Sequence, residues 1–415
     1  MATTSGADKP ADPAAPRATP VVSERAPAGR AACIVGIGET RFTRRGAQAD
    51  VGEWALGCEA AVKAADDAGL DVRRIDGMAS FSNDDCSPWL MQQALGIERL
   101  RFASMVWGGG GAGACGALAH AQAAVESGQA DTVLVSRSIV QRPGQRYGEA
   151  GGFAEIPQID LMAPYGMLAP AIMFAPMAQR YLHDFGVRPE QLAEVALTCR
   201  AHAQHNPRAV MHGRPMTLAD YLASRMIAAP LRLYDCCQEN DGAVALIVTT
   251  AERARDLKGV PVRVLAAAQG GNAGWGSGMM GTHNAPDGEY GAGNGALLAQ
   301  NLYARAGVGP AEVDVAQIYD HFSPSVLMTL ENFGFCARGE AGAFVADGQI
   351  RLGGRLPLNT SGGLLSEAYI HGLNLLTEGV RQLRGTSTAQ VEGARICLVT
   401  AGLGSTPTSA AILAA

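Results

Sequence analysis

With 415 residues, 47% of them hydrophobic and 17% charged, the chain is long and apolar enough to bury a large core. A net charge of −6 and the lack of any Lys/Arg cluster exclude a nucleic-acid surface, and no apolar run reaches the roughly 18 residues of a membrane span. Nine cysteines, an odd number that includes the adjacent Cys236-Cys237, suit neither a disulfide framework nor a zinc site and point to reduced thiols in the cytosol.

Residues 1–30 are Ala, Pro, Thr and Ser with scattered charge. They have no apolar h-region, so a secretory signal is not expected, and their composition predicts a disordered tail. Structure is predicted to begin at Cys33, in a buried strand reading CIVGIGET. Val51–Ala68 has helical apolar spacing, with Gly69 as its stop. Strands follow at Gly77–Phe81 and Phe102–Trp107. A glycine run from Gly108 to Gly116 then opens an Ala-rich helix to Ser127, which Gly128 ends before a strand at Thr132–Val135.

The segment from about 140 to 232 breaks this rhythm. It is rich in Pro and Met (Met162, Met167, Met173, Met177) and reads as a mostly helical insertion lying over the sheet. Flexible thioethers suit a pocket for a bulky apolar group, although Met stripes more often only pack. Strand signal returns at Gly242–Thr249. A second half opens near Val260 with strand Val262–Ala266, a Gly-rich loop Gly270–Gly295 carrying Trp275 and Tyr290, helix Leu297–Ala306 and strand Val315–Tyr319. After the stretch Asn359–Gly372, a helix runs to about Arg384 with Gly385 as its stop. Strands Ile396–Thr400 and Ser409–Leu413 finish the chain.

The two halves echo each other. Ala68-Gly69 precedes Asp76 and a strand; Ala306-Gly307 precedes Asp314 and a strand at the same interval. Each half then has a small-residue turn, an amphipathic helix, a Gly stop and a buried strand. The expected plan is an N-terminal half at 31–258, holding the insertion, and a C-terminal half at 259–415. Each half is βαβ-rich, with helices between or around two sheets.

Gly111-Ala112-Gly113-Ala114-Cys115-Gly116 has the form of a dinucleotide fingerprint, but it follows the third strand and lacks an acidic residue at the end of the next. A tight turn where backbone must come close to something is the better reading. Cys115 near a helix N-terminus has the setting of a nucleophile, but it is expected several residues inside the helix, where a buried small hydrophobe is the plainer reading. His202, His205 and His212 have no carboxylate or thiol at ligand spacing and read as solvated loop histidines, so no metal site is expected.

Two stretches remain. Ile318-Tyr319-Asp320-His321-Phe322 places ionisable side chains at the end of a predicted strand, where ligand chemistry in α/β sheets collects; structural networks have the same look. Asn359–Gly372, reading NTSGGLLSEAYIHG, sets Tyr369 and His371 just after a small-residue turn. A tyrosine there can give or take a proton once its pKa is shifted.

At these residues the chain resembles the thiolase superfamily, in its sterol-carrier-protein-linked, lipid-transfer branch, over about residues 32–415. Tyr319-Asp320-His321-Phe322 stands in that branch's His-Asp-Cys-Phe block, so Tyr319 replaces its His. Asn359-Thr360-Ser361-Gly362-Gly363 matches the Asn-Pro-Ser-Gly-Gly turn, and Tyr369 falls where the His of Gly-His-Pro would be. Gly111 takes the place of the nucleophilic Cys, and Thr400-Ala401-Gly402-Leu403-Gly404 replaces the final Cys-x-Gly loop. Such a chain cannot run acyl-enzyme chemistry. Its paired tyrosines resemble the thiolase-like aldolases of bacterial steroid side-chain degradation.

The resemblance implies a layered αβαβα thiolase fold, a cytoplasmic homodimer and retro-aldol cleavage of a β-hydroxyacyl-CoA, with no cofactor bound in this chain. The steroid version would release a 17-ketosteroid and propionyl-CoA from a 17-hydroxy steroid C22-acyl-CoA. It also implies a partner with an OB fold and zinc ribbon, forming a heterotetramer, with any zinc in that partner. The site it implies is the tyrosine pair as acid and base: Tyr369 as base with Tyr319 as acid is the expected assignment and the reverse is its alternative, with assistance to one of them from His321, His371 or a relay to Asp320. Backbone N–H groups near Gly111, Gly402 and Gly404 would meet the oxyanion. Making a tyrosinate at pH 7 costs roughly 4 kcal/mol, which is why assistance is expected. The rivals are a thiolase-like acyltransferase or condensing enzyme using Cys115, and a non-catalytic lipid- or acyl-CoA-binding subunit. The Gly-rich loop 270–295 is the stretch expected to meet the partner or to act as a lid.

Overall fold

The structure, a computed structural model, describes residues 28–82, 85–106, 110–141, 163–272, 287–404 and 407–415. Trp107, Met162, Trp275 and most of the N-terminal tail lie outside the described residues. So does the centre of the Gly-rich loop.

Strand β1 (Ala32–Glu39) leads to helix α1 (Glu53–Ala68), which Gly69 closes in the left-handed region at φ 68°. Only glycine enters that region without strain, so the helix stops there. Strands β2 (Gly77–Phe81) and β3 (Phe102–Val106), helix α2 (Ala114–Ser127) and strand β4 (Thr132–Ile139) follow. The insertion contributes α3 (Pro170–Phe185) and α4 (Pro189–Ala203). Beyond it come β5 (Asn240–Thr250), β6 (Val262–Gly270), α5 (Ala296–Ala306), β7 (Val315–Gln317) and α6 (Ser323–Asn332). Helix α7 (Leu373–Arg384) and strands β8 (Ile396–Ala401) and β9 (Thr408–Ala414) end the chain.

The internal repeat is visible in hydrogen bonds. The Asp76 carboxylate accepts the backbone N–H groups of Asp131 and Thr132, at 3.0 and 2.8 Å, as the chain enters β4. The Asp314 carboxylate does the same for Arg395 and Ile396, at 2.8 and 2.9 Å, as the chain enters β8. Each aspartate thus fixes the start of a buried strand beside its own parallel neighbour.

The sheet runs β7-β8-β9-β6-β1-β5-β4-β2-β3, with a short strand Thr43–Arg44 paired to β5. Two sheets were expected. They are instead joined into one ten-stranded sheet by antiparallel pairing of Cys33 and Ile34 with Arg263 and Val262. Strand order on the two sides of that seam is a mirror, β1-β5-β4-β2 against β6-β9-β8-β7.

Helices α2 and α7 each pack on strands from both sides of the seam. They form the central layer. Helix α2 is buried on nearly every face by Ala114, Cys115, Ala117, Leu118, Ala121, Ala124 and Val125, the pattern of a helix covered all round. Helix α1 covers β1, β4 and β5 from outside, and α5 covers β6 and β9. The result is the αβαβα layering of the thiolase fold.

The insertion lies chiefly on helices. Its α4 packs on α6 and on the short helices Ala341–Ala346 and Gly363–Ser366. His202, expected on a solvated loop, is buried on α4, and its Nδ1 lies 3.0 Å from Leu358 O and 3.3 Å from Asn359 O. Docking of α4 on the second half is what takes it out of water. Among the described residues, no helix is long and apolar enough to cross a membrane.

Candidate active site

The chain leaving β7 is pinned residue by residue. Ile318 N–H donates to Asn359 Oδ1 at 2.7 Å, and Tyr319 N–H donates to Thr400 Oγ1 at 3.1 Å. These bonds turn the Tyr319 ring into the central layer, where the residue is 3% exposed. Two glycines make room for it. A Cβ on Gly372 would lie 2.6 Å from Tyr319 Cε2, and one on Gly111 would lie 2.6 Å from Cζ and overlap the hydroxyl.

The other three-fold glycine spacing of the 111–116 run is also packing. A Cβ on Gly113 would meet Phe81 at 2.7 Å, and one on Gly116 would meet Gln269 at 2.5 Å. Both approaches are to protein, as the tight-turn reading expects. Cys115 is the second residue of α2, after a turn of 3-10 helix at Gly110–Gly113, and is not several residues inside the helix. Its thiol is fully buried 3.6 Å from Val399 O, and burial pushes its pKa up.

Tyr369 arrives from the opposite side. Its backbone N–H donates to Asn240 Oδ1 at 2.8 Å. Its half-buried side chain brings the hydroxyl 2.9 Å from that of Tyr319, with ring centroids 6.2 Å apart at 70°. The segment before and after it is strained. Asn359 and His371 have φ of 49° and 45°, unusual for residues with a Cβ.

His321 and His371 flank the tyrosines, with ring centroids 5.1 Å from Tyr319 and 5.2 Å from Tyr369 respectively. Burial pushes His321 down to about 4. Burial, and then the Arg137 guanidinium, push His371 well below its ordinary value. Both imidazoles are therefore neutral at pH 7, and neither brings a positive charge to a tyrosinate. Ser325 donates its hydroxyl to Phe322 O at 2.6 Å, so its oxygen accepts from His321 Nδ1 at 3.2 Å. That places the proton on Nδ1 and leaves the Nε2 lone pair buried, without a hydrogen-bond partner among the described residues.

Asp320 faces away from the tyrosine hydroxyls. Its carboxylate accepts Leu364 N–H at 2.8 Å, Leu365 N–H at 3.2 Å and the Cys199 thiol at 3.4 Å. Burial still raises its pKa to about 6, against those hydrogen bonds. Burial also raises Tyr319 well above 10, with the neighbouring Tyr369 adding to it. The more buried hydroxyl thus keeps its proton.

Gly402 has φ 66°, and a Cβ there would overlap Ala112, beside Gly111. Ser409 Oγ donates to Ala112 O from the same side. Gly111 and Gly402 are therefore neighbours across this turn. Gly404 is turned elsewhere: its N–H donates to Asn294 Oδ1 at 3.3 Å, and a Cβ would lie 3.0 Å from Met177 Cε. Phe174 of α3 stands edge-on to His321 at 5.3 Å, so the insertion walls one side of the site. Among the described residues, no group of three or more His, Cys, Asp or Glu side chains is placed to hold a metal ion.

Asn240 and Thr400, which fix the two tyrosine backbones, were not singled out in the sequence. The signal for Asn240 was available, since Asn240-Asp241 are polar and yet open a wholly buried strand.

Comparison with known proteins bears on the family and the fold. Residues 294–414 match the family described as "Thiolase C-terminal domain-like". The chain is 44% identical over 388 residues to the 17-hydroxy-3-oxo-4-pregnene-20-carboxyl-CoA lyase of Mycobacterium tuberculosis, covering 92% of this chain and 98% of that protein. It is 43% identical over 391 residues to the steroid side-chain-cleaving aldolase of Thermomonospora curvata, covering 93% and 98%. The solved Ltp2-ChsH2(DUF35) aldolase superposes with a TM-score of 0.86 at 42% identity, over 94% of this chain and 98% of that one. Human mitochondrial 3-ketoacyl-CoA thiolase shares the fold, with a TM-score of 0.68 at 14% identity, over 94% and 100%.

Proposed function

We take as premise the family to which this chain belongs, the thiolase-fold steroid side-chain-cleaving aldolases, and propose that it cleaves a 17-hydroxy steroid C22-acyl-CoA to a 17-ketosteroid and propionyl-CoA. The observation that carries this reading is the 2.9 Å contact between the Tyr319 and Tyr369 hydroxyls, at a place where Gly111 supplies no nucleophile.

Tyr369, the less buried of the two, enters the cycle as the tyrosinate, held by the hydrogen bond that Tyr319 donates at 2.9 Å, and takes the proton of the substrate's β-hydroxyl. The O–H electrons become the new ketone C=O, and the Cα–Cβ bond breaks toward the thioester, giving an enolate. Backbone N–H groups at the Gly111–Gly402 turn meet the developing oxyanion. Tyr319 then protonates the α-carbon. The hydrogen bond between the tyrosines passes the proton from Tyr369 back to Tyr319, so the cycle closes with no external acid or base. His321 and His371 serve as neutral, oriented groups, and Asp320 shapes the turn that carries Leu364 and Leu365.

We place the acyl-CoA in the space walled by α3. We also propose a homodimer that joins an OB-fold, zinc-ribbon partner in a heterotetramer. The solved relative pairs with a DUF35 protein. Nine free cysteines favour a reducing compartment, the cytoplasm. The acyltransferase reading is disfavoured by the buried, inert setting of Cys115. The test is product analysis by mass spectrometry on the co-expressed complex, with Tyr369→Phe beside the wild type. Release of a 17-ketone and propionyl-CoA by the wild type alone supports the reading. Full activity in the folded Tyr369→Phe protein overturns it.

A further inference from the structure

Glu367 is fully buried two residues before Tyr369, and its carboxylate is held from three separate segments. Asn206, just past the end of α4, donates its Nδ2 to Oε1 at 2.9 Å and to Ser361 O at 3.0 Å. Ser361, in the turn before, donates its hydroxyl to Oε2 at 2.8 Å. Asn374, in the first turn of α7, donates to Oε2 at 2.9 Å and to Ala368 O at 3.0 Å. The backbone adds Val210 N–H to Glu367 O at 2.9 Å and Met211 N–H to Ser366 O at 3.2 Å.

These bonds surround the strained part of the chain. Asn359, Gly362, Gly363, His371 and Gly372 all have positive φ, and Tyr369 stands among them. Backbone of this kind persists only where its surroundings over-determine it. A buried carboxylate is tolerated only when its oxygens are satisfied, and here every partner is a donor. An amide at 367 would turn an N–H toward either Asn206 Nδ2 or Asn374 Nδ2.

We infer that Glu367 is a positioning residue for the cleavage, clamping the 359–363 turn, the end of α4 and the start of α7 so that the Tyr369 hydroxyl meets Tyr319. The inference rests on the reading of Tyr369 as the base. The charged groups facing this clamp are Glu39 from β1, Glu378 and Arg381 from α7, and Arg208 from the loop after α4. Glu39 pairs with Arg381 at 2.6 Å and with Arg208 at 3.6 Å, and Arg381 lies 4.0 Å from Glu378. Burial first, then Glu39 and Glu378, raise Glu367 to about 7. The clamp therefore changes charge near neutrality.

The experiment measures kcat and KM for the 17-hydroxy steroid C22-acyl-CoA with the partner complex of the wild type, Glu367→Gln, Asn206→Ala and Tyr369→Phe. Profiles are taken from about pH 5.5 to 9. The expected result for Glu367→Gln is a fall in kcat of about 10- to 100-fold, with KM within about threefold and the acid limb of the profile displaced. Asn206→Ala should show a smaller loss of the same kind, and it decides the matter if Glu367→Gln does not fold. Wild-type kcat and pH profile in the folded variants, with Tyr369→Phe inactive, would overturn the inference and spare the reading of Tyr369. A loss confined to KM or to thermal stability would also overturn it. Full activity in Tyr369→Phe would remove the premise itself.

Discussion

A methyl group on Gly111 would fall on the hydroxyl of Tyr319, 2.6 Å from the ring carbon that bears it. The two positions compete for one volume. A chain with Tyr319 in this rotamer has no room for a nucleophilic side chain at 111, so loss of the nucleophile and gain of the acid are a single steric event.

Gly111→Ala should therefore destabilise the fold by about 1–3 kcal/mol through overpacking. The penalty should shrink sharply in a Tyr319→Ala background, where the volume is free. Thermal unfolding of the two singles and the double gives the coupling directly. Additive effects would mean that the ring does not stand over Gly111.

The tyrosine hydroxyls are expected to matter more than their rings. Tyr319→Phe and Tyr369→Phe should each keep a normal melting temperature within a few degrees and lose about 10²- to 10⁴-fold in kcat. Steady-state kinetics on the complex checks this. Loss of KM alone would assign the hydroxyls to binding.

These two tyrosines were legible in the sequence because each stands in a block whose other members, Asp320 and Phe322 or Ser361-Gly362-Gly363, keep their places. The repeat was legible through Asp76 and Asp314, whose local spacing is repeated. What failed was non-local. The seam between Cys33–Ile34 and Val262–Arg263 joins segments that only the tertiary fold brings together. His202 has polar neighbours in sequence, and only the docking of α4 buries it. The helix Pro88–Leu95 was missed because it buries only Met91 and Leu95 while Trp89 and Leu90 face solvent. Pro88 at its start and Gly96 at its end were the signals available. Glu367 looked like any surface glutamate.

Glu367 also makes a thermodynamic prediction. Its folded pKa of about 7 lies above the ordinary 4.5. Between those values the folded chain holds a proton that the unfolded chain has released, so rising pH favours unfolding across that window. The stability of Glu367→Gln relative to the wild type should thus increase from about pH 5 to 7 and then level off. Denaturant unfolding at several pH values reads this difference. A flat or falling difference would contradict the assigned burial cost.

Cys115 should be chemically silent. Cys115→Ala is expected to keep cleavage activity within about twofold, and intact mass spectrometry after substrate addition should find no acyl-enzyme. Acylation at this residue would move the protein back among the acyl-transferring thiolases.

The most direct test of the account is turnover of a 17-hydroxy steroid C22-acyl-CoA by the purified complex, followed by mass spectrometry, for the wild type and Tyr369→Phe in parallel. The account predicts a 17-ketosteroid and propionyl-CoA from the wild type and neither from the variant. An intact substrate with an acylated cysteine on the wild-type chain, or equal product from both proteins, would contradict it.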